Sequence, residues 1–88
     1  MRQNYPNPFN PHTIIEYELP RDCRVEITVY NILGQKVKSL TWGWQSAGYK
    51  KVIWDGENEK GESVTSGVYF YRIKTDEFTQ TKKMVILR

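Results

Sequence analysis

Arg24-Val25-Glu26-Ile27-Thr28-Val29-Tyr30 decides the fold class. Val25, Ile27 and Val29 alternate with Arg24, Glu26 and Thr28, the period of two that gives a strand one buried and one wet face. Upstream, residues 13–19 repeat the pattern: Ile15, Tyr17 and Leu19 share one face, Ile14, Glu16 and Glu18 the other, and Pro20 ends the run. Downstream, Asn31-Ile32-Leu33-Gly34 reads as a turn, because Gly34 takes positive φ without a steric penalty. Residues 35–40 form a less regular third strand near an edge, 41–48 a loop with two glycines, and 49–54 a fourth strand. After a polar loop, residues 68–74 make a strand with Tyr69, Tyr71 and Ile73 inward; a turn at 75–77 leads to the last strand, 78–87. A short strand around 62–65 would bring the count to seven. Turn signals at this spacing predict an all-β fold, an Ig-like or fibronectin-like antiparallel β-sandwich of about seven strands, in which Trp54 supplies a core aromatic between two half-apolar sheets.

The chain has 88 residues, enough for one domain, 1–88, with a thin core and little room for a deep cleft. Its 13 basic and 10 acidic residues leave a net charge of +3, spread along the sequence with no basic run. That pattern argues against a nucleic-acid partner. No apolar run is long enough to span a bilayer, so no membrane insertion is expected. One cysteine, Cys23, and one histidine, His12, form neither an intramolecular disulfide nor a zinc cluster. Cys23 is expected in the turn after Pro20, His12 on the surface, and an intermolecular Cys23 disulfide would be incidental.

No catalytic, metal or cofactor site is read from the residues. Asp55, Glu57, Glu59 and Glu62 crowd one loop, but their spacing is not that of an EF-hand, and they read as a solvated turn with Asp55 bonding nearby backbone N–H groups. Trp42 and Trp44 flank Gly43 in a loop or at a strand end. They either close the end of the core, the favoured reading, or offer an aromatic contact surface to a polysaccharide or protein. The opening, Tyr5-Pro6-Asn7-Pro8-Phe9-Asn10-Pro11, is proline-locked and extended, with Tyr5 and Phe9 as apolar anchors.

That opening, from Asn4 through His12-Thr13-Ile14-Ile15, resembles the signature of the type IX secretion system C-terminal sorting domains (type A). The resemblance continues through Val29-Tyr30-Asn31-Ile32-Leu33-Gly34, Trp54-Asp55-Gly56, Ser66-Gly67-Val68-Tyr69 and Lys83-Met84-Val85-Ile86-Leu87. The Ig-like domain of the flagellar hook capping protein is similar in its Trp-Asp-Gly and Ser-Gly-Val-Tyr patterns.

The resemblance implies a non-enzymatic module, secreted to the cell surface through periplasm and outer membrane at the end of a larger cargo. Its partners would be the outer-membrane secretion machinery and a sortase-like peptidase that joins the cargo to a surface glycolipid. Residues 1–12 would be a strap at the junction with the cargo. The final strand, Lys82, Lys83, Met84, Val85, Ile86 and Leu87, would be recognised, its edge offering backbone groups for strand addition. The alternatives are an accessory Ig-like domain of a secreted hydrolase, touching polysaccharide through Trp42 and Trp44, or a flagellar-hook-type assembly domain. Either a monomer or a strand-swapped dimer fits.

Overall fold

The computed structural model describes residues 1–7 and 12–87. Among them are six strands: β1 Thr13–Leu19, β2 Cys23–Asn31, β3 Lys36–Gln45, β4 Gly48–Trp54, β5 Gly67–Thr75 and β6 Thr79–Ile86. They form two antiparallel sheets, a pair β1-β4 and a four-stranded sheet in the order β3-β2-β5-β6. Residues 62–65 add only an isolated bridge between Ser63 and Glu57.

The alternation seen in the sequence sets the inner faces. Ile15, Tyr17 and Leu19 of β1 are buried, as are Val25, Ile27 and Val29 of β2 and Tyr69, Tyr71 and Ile73 of β5. β6 contributes Met84 and Ile86. The apolar layer between the sheets divides into two clusters, one around Trp54, Tyr71 and Met84, the other around Leu19, Val25 and Ile73. Trp54 is fully buried and meets Tyr69 edge-on, ring centres 5.7 Å apart, while its indole N–H donates to the Glu57 carbonyl at 2.9 Å. The polar end of the largest core residue is therefore satisfied, as a buried indole requires.

β3 departs most from expectation. It runs on to Gln45 and β4 begins at Gly48, so of the stretch read as a loop from Thr41 only Ser46 and Ala47 lie outside the strands. Gly43 sits opposite Val25 on the inner side and Trp42 and Trp44 alternate outward, a tryptophan–glycine alternation that no hydrophobicity pattern reports as a buried face. The pairing with β2 also slips twice, passing over Leu40 between the pairs Ile27–Thr41 and Thr28–Ser39, then over Val37 before Tyr30–Lys36. These are β-bulges. Val37 and Leu40, three apart, would lie on opposite faces of a regular strand, yet both pack against the core. The bulges explain the irregular sequence of this edge strand.

The turn at Gly34 forms as read. Gly34 has φ 81°, and the Asn31 side-chain oxygen accepts the N–H groups of Leu33 and Gln35, both at 2.9 Å. Cys23 is not in a turn: it opens β2 and is buried, because it begins the inward set of that strand.

Candidate recognition surface

The N-terminal segment is laid between the two sheets' edges by polar groups. Tyr5 pairs with Ile14 of β1 through both backbone bonds, 3.0 and 2.8 Å, and the Arg2 N–H donates to the Glu16 carbonyl at 2.9 Å. On the other side, Gln3 Nε2 donates to the Lys83 carbonyl at 2.8 Å, and the Val85 N–H donates to Asn7 Oδ1 at 2.9 Å. Asn4, 2% exposed, is the pin. Its N–H donates to the Tyr71 hydroxyl at 2.7 Å, its amide to Thr13 Oγ1 at 2.9 Å, and Tyr71 in turn donates to the Arg2 carbonyl at 2.9 Å. Burial pushes the Tyr71 phenol upward in pKa, with the bond from Asn4 opposing.

Two expectations change here. Tyr5 is 44% exposed, its hydroxyl donating to Glu16, so it is not a buried apolar anchor; the anchor is polar Asn4. Pro8, Phe9, Asn10 and Pro11 lie outside the described residues. Gln3 and Asn4 escaped a sequence reading that looked for apolar anchors, although Asn4 opens the very motif that drew the resemblance; Asn7 was read as part of the strap, without its bond to β6.

In β6, Lys82 lies opposite Tyr71 and Met84 opposite Tyr69, facing the core side, while Lys83 and Val85 lie opposite Phe70 and Val68 on the outer side. Leu87 is exposed beyond the strand. The edge of β6 at Lys83 and Val85 already carries hydrogen bonds from Gln3 and to Asn7. An added strand would have to displace them.

Trp42 and Trp44 do not close the core. They are 70% and 68% exposed on the outer face of the four-stranded sheet, opposite Glu26 and Arg24. The acidic loop serves structure: Asp55 Oδ1 accepts the Glu57 N–H at 3.1 Å, as read from the sequence. Glu59 covers the β3 edge, its carboxylate accepting the Ser39 N–H and its own N–H donating to the Val37 carbonyl. Among the described residues no group of three or more acidic, His or Cys side chains is placed to hold a metal. Burial, then the carboxylates of Asp76, Glu77 and Asp22, raise the Cys23 thiol pKa. Cys23 is buried at the start of β2, so a disulfide between chains through it would require opening that end of the sheet.

Comparison with known proteins gives these features a context. The family model for the secretion system C-terminal sorting domain matches residues 3–87. No match was found among curated proteins. Among solved structures, dimeric latent PorU from Porphyromonas gingivalis superposes with a TM-score of 0.76 at 20% identity, over 97% of this chain and 9% of that one. FLGD from P. aeruginosa gives 0.66 at 25% identity, covering 84% and 58%. PorZ, a surface component of the type IX secretion system of P. gingivalis, gives 0.64 at 22%, covering 98% and 11%. The likeness to PorU and PorZ carries the fold alone, and this chain spans a small part of either. Domains of the matched family act in sorting rather than catalysis and signal type IX secretion to the cell surface or the extracellular space. The chain belongs to the family of secretion system C-terminal sorting domains.

Proposed function

We propose that the chain is a non-catalytic, Ig-like tag at the end of a larger exported protein, read by the outer-membrane secretion machinery after passage through the periplasm. A sortase-like peptidase then removes it and joins the cargo to a surface glycolipid. The match of the family model to residues 3–87 carries this reading. The strap before β1 is the natural junction with the cargo.

Recognition is assigned to β6, through outward Lys83 and Val85 and the exposed Leu87. Since Gln3 and Asn7 occupy backbone groups of this stretch, the side chains rather than an added strand are the readable part. Deleting the strand would remove Met84 and Ile86 from the core, so point changes make the cleaner test. A reporter fused upstream of Met1 is expected at the surface of a host with the system, and retained when Lys83→Glu and Val85→Lys are combined. Retention of the unaltered fusion at the level of an untagged reporter would remove the sorting role. Export of the double variant at the full level would move recognition away from β6.

A further inference from the structure

Charge that is dispersed in the sequence is gathered by the fold. Arg24, Lys36, Arg72, Lys74 and Lys83 fall on the outer face of the four-stranded sheet, in register with Trp44, Tyr30, Thr28, Glu26 and Phe70. Glu26 is the only carboxylate of the described strand residues on that face, and Asp76 stands at its rim in the turn after β5. The outer face of the β1-β4 pair has the opposite balance, Glu16 and Glu18 against Lys51.

Aromatic rings are interleaved with these cations. Trp42 and Trp44 project from the same side of β3, two residues and so about 7 Å apart along the strand. The Arg24 guanidinium lies 5.9 Å from the Trp42 ring centre, and that of Arg72 lies 4.9 Å from the Tyr30 ring centre. The attraction of a cation for a π face holds both guanidinium groups near the surface in a restricted geometry. Two adjoining indoles this exposed contribute nothing to the core, and an exposed apolar patch with a charged border marks an interaction site.

We propose that this face binds an acidic polysaccharide, laid along β3 with sugar rings stacked on Trp42 and Trp44 and carboxylates paired with Arg24 and Lys74. The C–H groups on the flat side of a pyranose carry the partial positive charge that complements the negative π face of an indole. The charge balance of the face selects an anionic polymer over a neutral one. An acidic peptide matches the charge but has no flat apolar rings for the indoles. A single-stranded nucleic acid offers both and is an outcome of the test; sorting to the cell surface or the extracellular space brings the domain out to surface glycans before a peptidase removes it. The inference rests on that destination and not on the export receptor, so the reporter assay and the binding assay fail independently.

The test is calorimetric titration of the full chain with polygalacturonate at about 0.15 M salt, with dextran, polyglutamate and oligothymidylate in parallel. Binding to polygalacturonate and not to dextran is expected. Trp42→Ala, Trp44→Ala and Arg24→Gln should each weaken it about 3- to 10-fold, Trp42→Tyr should restore most of the loss, and Tyr49→Ala on the opposite sheet should leave it unchanged. Circular dichroism of each variant checks the fold. Failure to bind polygalacturonate, affinity for polyglutamate or oligothymidylate equal to or above that for polygalacturonate, or indifference to the tryptophan changes would each overturn the proposal.

Discussion

Replacing Tyr71 by Phe removes one oxygen from the centre of the strap's anchorage. The ring is fully buried in β5, and phenylalanine keeps its packing. The hydroxyl accepts the Asn4 N–H at 2.7 Å and donates to the Arg2 carbonyl at 2.9 Å. The Arg2 carbonyl belongs to an exposed residue and its bond is only part-buried, so water is expected to replace the phenol there. Asn4 is 2% exposed, and its N–H is left buried without that acceptor. A buried donor in that position costs about 1–3 kcal/mol. In a domain of this size that lowers the melting temperature by about 5–20 °C. The effect should also be local. Amide exchange should quicken at Tyr5 and Val85, whose N–H groups bond Ile14 and Asn7, while Ile27 and Ile73 in the central strands lose only what the global stability loses. Urea unfolding gives the first quantity and amide exchange the second. A loss below about 0.5 kcal/mol with unchanged exchange at Tyr5 and Val85 would refute the view that the phenol holds the strap.

Two further outcomes follow from buried titratable groups. Burial raises the phenol of Tyr17 above its ordinary 10.0, and that of Tyr71 likewise, so above pH 10 the unfolded chain gives up protons that the folded chain keeps; stability is intact below that pH and falls as pH rises through the folded values. The urea midpoint should drop on the alkaline side, with a shallower drop in Tyr17→Phe, and an identical slope in the variant would count against burial as the cause. Cys23 should react with an aromatic disulfide reagent far more slowly at pH 8 in the folded chain than in urea, because its thiol is buried and faces a pKa raised by burial and neighbouring carboxylates; equal rates would show the end of β2 to be open.

The sequence by itself determined which residues of β1, β2 and β5 face the opposite sheet. Period-two alternation is a local property, so the inward sets of β1, β2 and β5 and the place of Trp54 could be read without any knowledge of pairing. Family membership was legible for a similar reason: it resides in short contiguous motifs. Partnership across the fold was not legible. That Asn4 would pin the strap depends on Tyr71, 67 residues away, and the cover over β6 joins Gln3 to Lys83 and Asn7 to Val85. The extension of β3 rests on its neighbour β2, whose backbone pairs with it despite a glycine and two bulges. Basic residues that look scattered along the chain become one face because β2, β3, β5 and β6 lie side by side with their outward positions in register. Alternation is fixed residue by residue, whereas register and strand order come from burying two apolar sheet faces against each other, and only the tertiary structure decides them.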